Sequence, residues 1–301
     1  MYAPGKKSKF PVFIILLLTS ISSGFADYVK TVDQVEITGN LTDSSIVNFL
    51  ANVAEKGQKE LDAFFVGKIK TRVQVRLAET ADAYLSSAGS NVPDWSGAVA
   101  FPGKREILLK PGSYFDPETY QETLIHELVH IYIADNFNNR DLPLWINEGC
   151  AMHLSKPALT WNEMIVLGNA FSNERIVGFE AVDDLLRFGP AQAHLAYLQS
   201  FSAVRYLIEE FGNQKFRLIL QNCTVEPDLN QIFYDQLDIG LSEFEDEWYL
   251  TMQERLRWVI FLQVENLLWL SLVVISVAVF IIIRLRNRKT VKNWQKTDDY
   301  I

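Results

Sequence analysis

The chain has 301 residues, 49 % of them apolar, and 37 Asp and Glu against 28 Lys and Arg, for a formal charge of -9. That length is enough to bury a real core in one domain or a small two-lobed one. The acidic excess lies outside a basic C-terminal tail, which leaves no footprint for nucleic acid, and acidic runs such as Glu243 to Glu247 read as solvated surface.

The chain opens with Lys6, Lys7 and Lys9, followed by the apolar stretch Val12 to Leu18 and a small-residue region from Ser20 to Ala26. This order is that of a cleavable secretory signal peptide, expected over residues 1–26 with cleavage after Ala26. Residues 27–263 then form the expected folded region. It begins with a strand near Tyr28 to Thr38, a helix over Ser44 to Phe65, a strand over Thr71 to Leu77 and a helix near Thr80 to Ser87. A hairpin of Ala98 to Phe101 with Glu106 to Lys110 follows around Pro102 and Gly103. From Pro117 onward the pattern is mainly helical. Strands first and helices after give an α+β class, with a small N-terminal sheet, a mainly helical part behind it and a site between the sheet edge and the helices.

The most informative segment is His126-Glu127-Leu128-Val129-His130. Asp116 and Pro117 read as the cap and first residue of its helix, with Glu118 and Glu122 near the positive end of the dipole. Leu124, Ile125, Leu128, Val129, Ile131 and Ile133 make the helix apolar enough to cross a core, and Asn136 to Asn139 end it. On such a helix, four residues advance about 400°, so His126 and His130 project from nearly one face and can share a tetrahedral metal. Glu127 lies about 100° round, off the metal but placed to take a proton from a water that the metal activates. An unpaired charge in an apolar helix would cost several kcal/mol, so these three polar groups need a reason, and a metal site supplies one that a core helix with coincidental polar residues does not.

A catalytic zinc site needs a third protein ligand. The metzincin pattern would require Gly at 133 and His at 136, where this chain has Ile133 and Asn136. Asp135 falls on the opposite face of the helix. After a polar break, Leu142-Pro143-Leu144-Trp145-Ile146-Asn147-Glu148-Gly149-Cys150-Ala151 begins a second helix, with Asp141 as its expected cap. Here the chain resembles the gluzincins, the clan of thermolysin and of the membrane-associated alanyl aminopeptidases. Their third ligand is the Glu of an Asn-Glu-Gly-like segment on the helix after the HExxH helix. Seventeen residues lie between His130 and Glu148, close to the spacing of the aminopeptidase branch. The resemblance spans roughly Pro117 to Leu154. It implies a zincin-like fold, a Zn2+ ion held by His126, His130 and Glu148, and Glu127 as general base. Asp141 is the weaker rival for the third position.

The chain departs from these relatives in two places. Aminopeptidases of the clan hold the substrate amine with a Glu in a Gly-x-Met-Glu-Asn strand, whereas this chain reads Gly97-Ala98-Val99-Ala100-Phe101. An endopeptidase is therefore expected before an aminopeptidase, with the strand still able to pair with an extended peptide. Thermolysin-like members carry an Asp four residues after the third ligand to orient a histidine. Met152 stands there, and neither His153 nor Asp135 can be assigned that task. An oxyanion stabiliser is expected from the helical region that Phe211-Gly212 closes. Tyr197 is favoured over Tyr206 and His194, although an aromatic at that spacing is as readily a core residue. Cys150 and Cys223 can form one disulfide or stay as buried thiols, and zinc ligation by Cys150 is less expected than either.

Near the C-terminus, Leu267 to Ile283 is an uncharged apolar run of seventeen residues, followed at once by Arg284, Arg286, Arg288 and Lys289. A transmembrane helix over 264–283 and a basic cytoplasmic tail over 284–301 are expected. Basic charge at both ends puts residues 27–263 on the extracytoplasmic side, facing periplasm or exterior. The sequence thus describes a membrane-anchored zinc peptidase acting on peptide or protein substrates. The competing reading is a catalytically idle, zinc-containing surface domain that binds peptide or envelope polymer in the same cleft.

Overall fold

The computed structural model of the chain describes residues 27–89, 92, 96–111, 116–137, 142–182, 188–225, 228–262 and 264–298. The expected signal peptide and Asp141 lie outside them.

The sheet has five strands in the order β1-β2-β3-β5-β4: β1 Asp27–Val32, β2 Val35–Asn40, β3 Val73–Leu77, β4 Ala98–Phe101 and β5 Glu106–Leu109. The single strand expected near Tyr28 to Thr38 is two antiparallel strands, with Val32 opposite Val35. Asp33 makes the turn at φ 48°, a left-handed conformation that Asp tolerates better than most residues, so no glycine announces it. β2 pairs parallel with β3 and β3 with β5, while β4 returns antiparallel as the outer strand beside β5.

Alternation decides the faces. Val35 and Ile37 of β2 and Val73, Val75 and Leu77 of β3 point into the core, leaving the residues between them outward. β5 breaks that alternation, with Ile107, Leu108 and Leu109 all buried. Its second face is covered by the short helix α2 (Ala81–Ala88), where Tyr84 and Ala88 pack with Leu108 and Ala78. Thr80 caps that helix through its hydroxyl, which accepts from the Ala83 amide at 3.0 Å.

The main face of the sheet carries α1 (Ser44–Phe65), which spans the expected residues and packs on β1 and β2, and beside it α3 (Pro117–Phe137), which packs on β4 and β5. Asp116 caps α3, its carboxylate accepting from the Thr119 amide at 2.9 Å. Leu124, Leu128, Val129, Ile131 and Ile133 of α3 are fully enclosed. A helix apolar on nearly all sides belongs in the middle of a structure. Two polar contacts fix its height. Tyr132 donates to Asp62 of α1 at 2.6 Å, and Asp135 pairs with Arg105, at the start of β5, at 2.6 Å.

The remaining helices are α4 (Leu144–Ser155), α5 (Trp161–Ser172), α6 (Phe179–Val182), α7 (Pro190–Asn222), α8 (Leu229–Leu237), α9 (Leu241–Phe261) and α10 (Val264–Asp298). α7 is two helical pieces with a kink at Gly212, whose φ of 85° ends the first piece as the Phe211-Gly212 pair predicts. α4 packs most closely on α7 and α3. One core cluster runs from Val35 in β2 to Val259 in α9, with Trp145 stacked on Phe179 at its helical end. α10 contains Leu267–Lys289, long and apolar enough to cross a membrane, with none of it buried against the rest of the chain.

Candidate metal centre

The two histidines and Glu148 meet where α3 crosses α4. His126 Nε2 lies 3.2 Å from Glu148 Oε2, and His130 Nε2 lies 3.7 Å from the same oxygen. Ligand atoms on all three residues stand within 4.8 Å of one another. Zinc bonds of about 2.0–2.2 Å in tetrahedral geometry set ligand atoms about 3.3–3.6 Å apart. The donor set therefore fits a zinc ion in both chemistry and spacing. No other group of three His, Cys, Asp or Glu among the described residues draws together in this way.

Burial makes the trio demanding without a cation. Glu148 is enclosed, and burial opposes its charge, but the charge of His130 and the hydrogen bond and charge of His126 outweigh this and hold its carboxyl below the usual range. For His126, burial disfavours the protonated ring, while Glu148 overcomes this and raises its pKa.

His130 has a partner on its other nitrogen. Its Nδ1 lies 3.0 Å from Asn147 Oδ1, so Nδ1–H donates to that amide oxygen, and Nε2 is the nitrogen turned toward Glu148. Asn147 thus does for His130 what a carboxylate would do from the position of Met152. The Asn-Glu-Gly segment contained this residue, but only the crossing of α4 over α3 turns neighbours in sequence into ligand and orienter.

Glu127 is buried beside the trio, 8 % exposed. Burial pushes its pKa up, and the charges of His126 and His130 with the Ala100 amide, which donates to its carboxylate, pull partly back. Ala100 stands in β4 where aminopeptidases of the gluzincin clan carry their amine-binding Glu. Here that position offers an amide to Glu127 and no carboxylate to a substrate.

Of the three residues considered for oxyanion stabilisation, the fold brings Tyr197 to the centre, its ring centroid 6.3 Å from that of His126. Burial first, then the charges of Glu148 and Glu127, raise its pKa well above 10, so the phenol keeps its proton. Tyr206 is elsewhere, bonded to Glu247 at 3.5 Å and packed on Phe244. His194 faces solvent. His153 packs on Phe201, and Asp135 is taken up by Arg105 and the Lys70 amide, so neither serves the metal trio. Cys150 and Cys223 are both free and buried, with the Cys223 thiol pushed up to about 11 by burial.

Gly149 sets the depth of α4. A Cβ there would overlap the Ser200 carbonyl oxygen and stand 2.6 Å from Val204 Cγ2 on α7. Gly149→Ala is therefore expected to destabilise the chain by about 1–3 kcal/mol, since two packed helices must separate. It should weaken metal binding as well by shifting Glu148. Thermal unfolding of wild type and variant checks this, and an unchanged Tm would show that α4 has room to move.

A family model described as the Peptidase MA superfamily matches residues 53–254, a stretch that opens in α1, closes in α9 and takes in the whole centre. None of the curated proteins compared with the chain matches it.

Proposed function

We propose, because this chain belongs to the Peptidase MA superfamily, that it is a membrane-anchored zinc endopeptidase in which His126, His130 and Glu148 hold the metal and Glu127 is the general base. The observation that carries this reading is the convergence of two imidazole Nε2 atoms and one carboxylate oxygen with a fourth, buried carboxyl group beside them. A binding module has no use for that fourth group.

Zinc bound there would supply Lewis acidity, polarising the scissile carbonyl and making a water acidic near neutral pH. The protein's residues do the rest. Glu127, raised by burial and steered by the Ala100 amide, accepts the proton of the attacking water and delivers it to the leaving nitrogen. Tyr197, held neutral, donates a hydrogen bond to the oxygen that gains charge in the transition state. Asn147 keeps His130 in one tautomer. β4, on the outer edge of the sheet, offers an extended peptide a strand to pair with, and the missing carboxylate at Ala100 supports internal cleavage over removal of the first residue.

A peptide-library digest with the purified chain tests this. Cleavage at internal bonds, undiminished by N-terminal acetylation, is expected, and Tyr197→Phe should lower kcat about 10- to 1000-fold with KM little changed. Release of first residues alone would overturn the endopeptidase reading.

We place residues 1–26 as a signal peptide, 27–263 outside the cytoplasm, 264–283 across the membrane and 284–301 in the cytoplasm. The uncharged run followed by Arg284, Arg286, Arg288 and Lys289 supports this orientation. Protease added to intact cells or spheroplasts should digest the 27–263 region and spare a tag at Ile301. A tag accessible from outside would reverse the topology.

A further inference from the structure

The last turns of α9 carry an apolar edge that the described fold leaves open. Trp258 is 61 % exposed, Phe261 50 % and Leu262 45 %, while Leu256 and Val259 on the other side of the same turns are buried. The Trp258 and Phe261 rings meet edge to face with centroids 6.0 Å apart, and the Arg257 guanidinium lies 5.9 Å from the Trp258 ring. α5 packs on the opposite side of α9 and reaches the same end. It runs antiparallel to α9: Tyr249 donates to the Phe171 carbonyl at one end, and Gly168 faces Leu256 and Ile260 farther along. The first turn of α5, with Trp161 44 % exposed, therefore lies toward the same end as Leu262.

What covers such an edge follows from where the chain goes next. α10 opens at Val264, and its membrane-crossing stretch starts at Leu267, five residues beyond Leu262, with an exposed Trp269 in its first turn. Aromatic side chains, and an arginine over an indole, are the groups that settle at the boundary between hydrocarbon and water.

We propose that Trp161, Trp258, Phe261 and Leu262 dock the domain onto the headgroup layer of the bilayer that holds α10. This rests on reading α10 as a membrane span.

The test uses the full chain in vesicles of phosphatidylcholine and phosphatidylglycerol, with an environment-sensitive fluorophore on one introduced cysteine and nitroxide-labelled lipids as quencher. Native Cys150 and Cys223 are buried and leave the label site-specific. Labels at Trp161→Cys, Trp258→Cys and Phe261→Cys should be quenched several-fold more than one at Leu250→Cys, which is exposed and about 12–17 Å back along α9 from the two labelled positions on that helix. Trp269→Cys reports the span itself. Quenching at 269 without quenching at 161, 258 and 261 would overturn the docking and leave the anchor intact. No quenching at 269 would overturn the anchor and the docking together. Labels at 258 and 261 shielded from soluble iodide but untouched by the lipid quencher, in a chain that self-associates, would assign the edge to a second copy and also overturn the proposal.

Discussion

Glu127→Gln is expected to keep the fold and bind zinc while losing peptidase activity by about 10²- to 10⁴-fold, the range of positioned acid–base catalysis. The amide preserves shape and can still meet the Ala100 backbone, but it cannot accept a proton. Because Glu127 is 8 % exposed, no bulk water stands ready to replace it as base. Replacing a buried carboxyl whose charge burial disfavours should leave stability unchanged or raised. Metal content and thermal unfolding of the variant separate this outcome from simple loss of structure. Peptide cleavage at the wild-type rate would remove Glu127 from the mechanism.

Glu148→Ala should lose the metal. Glu148 Oε2 is the atom common to both short distances in the trio, 3.2 Å to His126 and 3.7 Å to His130, so its loss leaves two imidazoles and no carboxylate ligand. Zinc is expected to fall from about one per chain to a small fraction, since a catalytic site holds its ion with three protein ligands. His126→Ala and His130→Ala should do the same. Full zinc occupancy in Glu148→Ala would move the third ligand to Asp141 or elsewhere.

The parts legible in the sequence were those that helical or strand periodicity sets locally. α1 spans the residues its pattern predicted, α3 starts at the Asp116-Pro117 cap, and Phe211-Gly212 ends a helix where the glycine takes a positive φ. The His126, His130 and Glu127 arrangement follows from helix geometry alone, and the choice of Glu148 came from the Asn-Glu-Gly resemblance. Other features depend on which elements meet. The pairing of Asn147 with His130 needs the α3–α4 crossing, and the Ala100 amide reaches Glu127 only because β4 lies at the edge of the sheet beside α3. Tyr197, Tyr206 and His194 share one helix, and the packing of α7 selects among them. The β1–β2 turn stayed hidden because Asp33 makes it without glycine or proline. α4 begins at Leu144, directly after Pro143.

The most direct measurement is peptide-library cleavage by the purified full chain before and after metal removal with a strong chelator, followed by return of one equivalent of zinc. If His126, His130 and Glu148 hold the ion on which hydrolysis depends, cleavage is present at first, abolished by chelation and restored by zinc in the wild type, and absent throughout in Glu148→Ala. Cleavage that persists undiminished in the metal-free chain would contradict the account at its centre.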